Sequence, residues 1–270
     1  IWLNAGSMRP LYHRCYNTDM TLSKLLFELS GETRLEMLHA LEAAPLTFTK
    51  IADQMDITSS EASRQIERLS GMNLIEKLSD GSYAITPLGR LMLSFLPGIG
   101  FVYENSDFFR THDTAPIPHE LIMRFGDLSG ATFIEGTIET MNFVQERMRN
   151  AERYHYGMVD GLMRMMIPLA VEKIRSGVRF GMILPDAYRE ELSAIVNEYS
   201  DEGERVRTIE IRTLASVPLC VGVTDRGCGF KLPSFDGEID HSAMVVGTGP
   251  AFCNWCHDLH AHYWERASPV

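Results

Sequence analysis

The chain has 270 residues, with 25 Lys and Arg against 36 Asp and Glu, for a net charge of −11. Apolar residues make up 45% and charged residues 23%, which excludes global disorder and leaves enough apolar side chain for one large domain or two modest ones. The acidic balance excludes a general polyanion binder, because positive charge drives non-specific nucleic-acid affinity, but not a small DNA-reading surface on an acidic body.

Five cysteines at scattered positions form no extracellular framework, so a reducing, cytoplasmic setting is expected. No apolar run approaches the roughly 18 residues of a membrane span. The longest candidate, Leu91 to Tyr103, contains Pro97, Gly98 and Gly100, so no membrane partner is expected. The first residues lack the basic stretch and apolar run of a secretion signal, with Met8 and Met20 as candidate starts.

Residues 20–96 predict three helices, a turn, a fourth helix, a hairpin and a fifth helix. Leu22, Leu25, Leu26 and Leu29 recur at helical spacing, and Ser30-Gly31 stops that run. Leu35, Met37, Leu38 and Leu41 mark a second helix, ended by Ala44-Pro45. Thr47 caps a third, Phe48 to Met55. After Asp56-Ile57-Thr58, Ser59 or Ser60 is expected to cap a fourth, with Ala62, Ile66 and Leu69 on its buried face. Two alternating runs, Leu74–Leu78 and Tyr83–Thr86, flank Asp80-Gly81 and predict a hairpin. Pro87 suits the first turn of the next helix. This order is a winged helix-turn-helix.

The fourth helix is the DNA-reading candidate. With one face packed, Ser59, Ser60, Glu61, Ser63, Arg64, Glu67 and Arg68 are left outward. Arg64 suits a guanine edge or a phosphate, and the serines suit phosphates or either base type. Glu61 and Glu67 repel phosphate, so they accept from cytosine or point aside. Lys77, Ser79, Ser82 and Tyr83 form the wing's contacts to backbone or minor groove. Residues 1–95 carry 9 basic against 11 acidic side chains, which predicts low non-specific affinity and a need for a homodimer. The alternative is that the winged helix docks a protein partner.

Pro97-Gly98-Ile99-Gly100 is expected to hinge the two halves, and 97–129 to form a linker helix (around Val102 to Arg110) and loop. From about residue 130 the rhythm becomes α/β. Strands are predicted at Ala131–Glu135, Tyr154–Val159, Val178–Leu184, Thr208–Leu214, Leu219–Thr224, Cys228–Leu232 and Ala243–Val246. Helices are predicted at Ile138–Arg149, Ile167–Ser176, Asp186–Tyr199 and Pro250–Glu265. The resulting domain plan is 20–96, 97–129 and 130–266.

Beyond the winged helix stand Phe108-Phe109-Arg110-Thr111-His112-Asp113, Ile117-Pro118-His119-Glu120-Leu121 and Gly126-Asp127-Leu128, then a closing Trp255…Leu259…Tyr263 helix. With these segments the chain resembles the archaeal winged-helix regulators of methanogenesis, which include the filament-growth and methyltransferase-specific regulators. The resemblance covers most of residues 20–266. It implies an archaeal, cytoplasmic transcription regulator, usually dimeric, that binds promoter DNA. It also implies an α+β chain whose C-terminal α/β sensory domain is similar in architecture to phospholipase-D-like effector domains. The family's closing pattern has acidic and aromatic residues where this chain has Cys256, His257 and His260.

Cys253-Asn254-Trp255-Cys256-His257 is a C-x-x-C-H string, the attachment pattern of c-type haem. Cys253, Cys256, His257 and His260 also share one helical spacing, so a soft transition metal, thiol redox sensing and plain core packing stand beside haem as readings. A metal would need further ligands, for which Cys220 and Cys228 are available. A haem- or metal-binding redox protein is the alternative to a ligand- or redox-sensing regulator.

Other signals fail. In Gly247-Thr248-Gly249-Pro250-Ala251-Phe252 the third glycine of a dinucleotide turn is replaced, and Pro250 removes a donor. His119-Glu120 lacks the second His of H-E-x-x-H, and no His is followed two residues later by Lys as in phospholipase-D enzymes. An enzyme is therefore not expected. Met158, Met163, Met165, Met166 and Met182 are adaptable core or a soft lining for a flat apolar ligand, with Tyr154, His155 and Tyr156 near a strand-end pocket.

Overall fold

The computed structural model describes residues 21–200 and 209–270, apart from the side chains of 196–200. The candidate starts Met8 and Met20, and the predicted strand's first residue Thr208, lie outside the described residues. The chain divides into two compact units, one through Phe95 and one from Leu96.

In the first unit, α1 (Leu22–Leu29), α2 (Glu32–Ala43), α3 (Phe48–Gln54) and α4 (Ser59–Gly71) precede a hairpin of β1 (Ile75–Lys77) and β2 (Tyr83–Ile85). Ile75 pairs with Ile85 and Lys77 with Tyr83, and Leu46 makes a single antiparallel bridge to Tyr83. Met37, Leu38, Ile51, Ala62, Leu69 and Leu74 form the core. Thr47 caps α3 as expected, its side chain accepting from the Lys50 N–H. The cap of α4 is Thr58, not Ser59 or Ser60: its hydroxyl accepts from the Glu61 N–H at 3.2 Å. The three hydroxyls are consecutive, and only Thr58 has the extended backbone that a cap requires. Of the four leucines at helical spacing on α1, Leu29 is buried, while Leu22 and Leu26 are about half exposed.

α5 (Pro87–Glu104) runs straight through Pro97-Gly98-Ile99-Gly100, which was expected to break it. Proline costs a helix one donor and a steric clash, yet tertiary packing holds this one together. A Cβ on Gly98 would lie 3.2 Å from the backbone nitrogen of Gly126, so the glycine permits a close backbone approach. Residues 97–129 belong to the second unit. After α5 come two single turns, α6 (Ser106–Phe109) and α7 (His119–Ile122), and a 3₁₀ turn at Phe125–Leu128. Phe101, Ile117, Leu121, Phe125 and Leu128 are all buried in one core with Trp255. Short apolar clusters between prolines and glycines carry no readable period, so this segment looks like a linker in sequence.

The remainder alternates: β3 (Thr132–Glu135), α8 (Thr137–Asn150), β4 (Tyr154–Met158), α9 (Ile167–Arg175), β5 (Arg179–Pro185), α10 (Arg189–Ser200) and β6 (Ile209–Leu214). An antiparallel series follows: β7 (Cys220–Thr224), β8 (Gly227–Lys231) and β9 (Ala243–Gly247). α11 (Pro250–Trp264) and β10 (Ser268–Pro269) close the chain. The sheet order is β10-β6-β5-β4-β7-β8-β9-β3, with β4, β5 and β6 parallel and the other pairings antiparallel. The chain is α+β: a winged helix, then an α/β domain with a mixed sheet. Strand alternation gives that sheet two distinct faces. Tyr154, Tyr156 and Met158 belong to the core that includes α11, whereas His155 and Gly157 look to the side of α8 and α9.

Candidate nucleic-acid interface and regulatory domain

On α4, Ser59, Ser60, Ser63, Arg64 and Glu67 are exposed. Arg64 donates to Glu61 at 2.6 Å, and Gln65 donates to the same carboxylate. Those hydrogen bonds hold the Glu61 carboxyl below its usual range and raise the Arg64 guanidinium. Arg64 is therefore on the outward face, but its partner is an acid three residues back.

Arg68 is not an outward side chain. Its guanidinium donates to both Glu28 oxygens, at 2.8 and 3.0 Å, and sits over the Phe27 ring. Arg34, which sequence reasoning missed, is buried next to it and donates to the carbonyls of Glu28 and Phe27 and to Gln65 Oε1. Helical spacing shows which way a side chain leaves its own helix; it does not show that α1 lies across that exit.

On the wing, Lys77 and Ser79 are exposed, and the Lys77 ammonium lies 5.7 Å from the Tyr83 ring centre, with Tyr83 half-buried. Ser82 is buried. Its N–H and hydroxyl both donate to Asp80 Oδ1, at 2.9 and 2.6 Å, so it shapes the turn instead of presenting a DNA contact.

In α11 the cysteine–histidine string divides into two neighbourhoods. Cys256 is fully buried and Cys253 half-buried, beside Cys228 of β8. Cys253 Sγ donates to the carbonyl of Gly247, the residue that pairs with Cys228 across β8 and β9. The hydrogen bond between these thiols pushes Cys228 up, and the same bond, with Arg147 nearby, lowers Cys253. Burial pushes Cys256 well up. His257 and His260 instead border an open groove of about 330 Å³ with Tyr156 and Trp264. His260 stacks on Tyr156 at 5.8 Å, and burial holds its pKa down to about 4. Covalent haem needs both thiols and the histidine on one accessible face. Cys256, with no exposed surface and packed in the core, does not offer it, so the string does not fit that group. No group of three His, Cys, Asp or Glu among the described residues is placed to hold a metal ion.

A polar cluster that sequence reasoning missed lies across the sheet. Cys220 donates to Asp160 at 3.4 Å, His241 Nε2 is 3.0 Å from the same carboxylate, and buried Lys231 donates to Thr140 and the His241 carbonyl. Burial pushes the Cys220 thiol up to about 12 and lowers Lys231. These residues are scattered over 101 sequence positions and form no motif. The methionines also divide: Met163, Met166 and Met182 border a cavity with His155, Met158 is in the α11 core, and Met165 is exposed.

Residues 29–77 match the family model described as a helix-turn-helix domain, and residues 138–266 the one described as the middle domain of the methanogenesis regulatory protein FilR1. The chain joins a helix-turn-helix domain to a FilR1-type middle domain. It is a DNA-binding transcription regulator of that kind. The FilR1-type domain spans the sheet from α8 through α11, including the thiols, both histidines and the cavity. No curated protein matches this chain. Among solved structures, the archaeal chromatin protein TrmBL2 is 14% identical, with 93% of this chain and 100% of that one covered and a TM-score of 0.43. A phospholipase D family member, Nuc from Salmonella typhimurium, is 14% identical over 52% of this chain and 98% of its own, with a TM-score of 0.39. The dimethyltransferase RosA from Streptomyces davawensis is 13% identical over 71% and 63%, with a TM-score of 0.28. At these values none carries an argument about activity. No described helix is long and apolar enough to cross a membrane.

Proposed function

We propose that this chain is an archaeal, non-enzymatic transcription regulator that binds promoter DNA as a homodimer and changes its DNA affinity when the FilR1-type domain senses a small effector. The observation that carries the DNA contact is the free outer face of α4. Ser59, Ser60, Ser63 and Arg64 stand exposed on it, next to a wing bearing Lys77 and Ser79. Few side chains and little positive charge per protomer make one half-site weak. Two recognition helices about 34 Å apart would add their contacts on one DNA face. An apolar stripe along α5 supports self-association: Leu91, Phe95 and Ile99, spaced by four residues, are each about half exposed or more. The effector acts by population shift, favouring one spacing of the recognition helices through its different affinity for the two states.

The test is a footprint on DNA upstream of the protein's own coding region, at low salt. Protection of a two-fold symmetric site that weakens for Arg64→Ala is the expected result. No protection, with or without candidate effectors, would leave the winged helix as a protein-docking module.

A second input is favoured by one observation: Cys253 Sγ of α11 donates to the carbonyl of Gly247, the residue paired with Cys228 across β8 and β9. Oxidation by a peroxide, giving a disulfide and water, would tie β8 to α11 and make the same domain redox-responsive. Loss of DNA binding on peroxide treatment, recovered with dithiothreitol and absent in Cys253→Ser, is the outcome that supports this input.

A further inference from the structure

We infer that the face of the sheet beneath α8 and α9 is the binding site of a small, uncharged, apolar molecule carrying a hydroxyl group. A cavity of about 300 Å³ opens there, within the size of small-molecule sites. Met148, Met163, Met166 and Met182 form much of its wall. Methionine is flexible and polarizable, so this wall re-packs around apolar shapes that a leucine wall would reject. Gly157 keeps the floor open: a Cβ there would come 3.0 Å from Met182 Cε.

One polar side chain on the sheet breaks the apolar lining. His155 is 5% exposed, borders the cavity and stacks on Phe180 with ring centres 5.0 Å apart. Its Nδ1 is buried without a hydrogen-bond partner. Buried polar atoms are nearly always paired, and an unpaired one on a ring that borders an apolar cavity needs an account. Burial holds the ring neutral at ordinary pH, its pKa pushed down to about 4. Nδ1 of a neutral imidazole is a donor in one tautomer and an acceptor in the other; a hydroxyl satisfies both. A carboxylate would give up water to meet a neutral ring. Arg175 also borders the cavity, but it is already engaged within the protein.

The site gives the sensing reading a ligand class and rests on that reading for its effect on DNA; the binding itself does not. The full chain is titrated calorimetrically with 4-hexylphenol, hexylbenzene and 4-hexylbenzoate, as the unaltered protein and as His155→Phe and Ala170→Trp. Ala170 borders the cavity, and tryptophan there fills it. One hydrogen bond predicts saturable binding of the phenol about five-fold tighter than hexylbenzene. His155→Phe should erase that preference and keep hexylbenzene binding, and Ala170→Trp should abolish both. Absence of saturable binding, a preference for the benzoate, or an unchanged preference in His155→Phe would overturn the inference. If thermal melting shows that Ala170→Trp is unfolded, the His155→Phe comparison decides alone. Binding of the phenol by protein that holds no DNA would overturn the regulator reading and support this site.

Discussion

Arg68 of α4 and Glu28 of α1 are joined by two hydrogen bonds, 2.8 and 3.0 Å long, across 40 residues of chain. Arg64, one turn earlier on the same helix, has a side chain 65% exposed and pairs only locally. Two arginines four residues apart thus have opposite surroundings: one ties α4 to α1, and the other, exposed, is the proposed DNA contact. Arg68→Ala should destabilise the first unit by about 1–2 kcal/mol, since a largely buried carboxylate loses two hydrogen bonds and keeps its ion pair with Arg34 at 3.2 Å. Arg64→Ala should change stability by less than about 0.5 kcal/mol. For DNA the order reverses: Arg64→Ala should lower affinity and reduce the slope of binding against salt by about one ion. Urea denaturation and salt-dependent gel shifts measure both, and a large stability loss in Arg64→Ala would contradict the assignment.

With Arg64 as the proposed DNA contact, the Glu61 carboxylate that pairs with it would compete with DNA, and its charge would repel phosphate. Glu61→Gln removes both obstacles while leaving an acceptor for Arg64. It should tighten DNA binding several-fold at low salt, with a smaller gain at high salt as screening grows. Weaker binding in this variant would show instead that Glu61 accepts from a base, and the loss would then follow cytosine content of the site.

Two buried imidazoles should weaken the regulatory domain as the pH falls. His155 and His260 each have a folded pKa of about 4, against roughly 6.5 unfolded. Between those values the unfolded chain binds protons that the folded chain refuses. Stability is therefore full above about pH 6.5 and falls as pH drops toward 4, by up to about 1.4 kcal/mol per pH unit for each ring. Thermal melts from pH 7 to 4.5 should show this slope, with a shallower one in His155→Phe. An identical slope in that variant would mean that the ring is charged in the fold.

Thiol reactivity should separate the cysteines of the domain. Cys253 is half-buried with its pKa lowered; Cys220, Cys228 and Cys256 are buried with theirs raised. Alkylation of folded protein with iodoacetamide, followed by peptide mapping, should label Cys253 at least ten-fold faster than the other three. Early labelling of Cys256 would mean that α11 detaches from the sheet under native conditions.

The proposed homodimer would use the exposed apolar side chains of α5. Leu91→Glu and Ile99→Glu each place a charge among side chains that a partner helix would bury. They should shift sedimentation from dimer to monomer and weaken DNA binding through loss of the second half-site. Unchanged sedimentation would move the dimer interface elsewhere.

Residue order alone was enough for the winged helix and for the strand and helix series after residue 130. Each depends on contacts near in sequence: Thr47 three residues before the Lys50 N–H it caps, Ala62, Ile66 and Leu69 on one helix face, and Asp80-Gly81 between two alternating runs. Periodicity and turn chemistry encode such contacts directly. Tertiary structure alone decided what the side chains do. It gave Arg68 to Glu28 and Arg64 to solvent, and divided Cys253 and Cys256 from His257 and His260 within one helix. It carried α5 through Pro97, and placed His155 against Phe180, a neighbour 25 residues away, at the border of a cavity. Those outcomes depend on which element lies across which face, and such long-range packing leaves no period in the sequence for a reader to find.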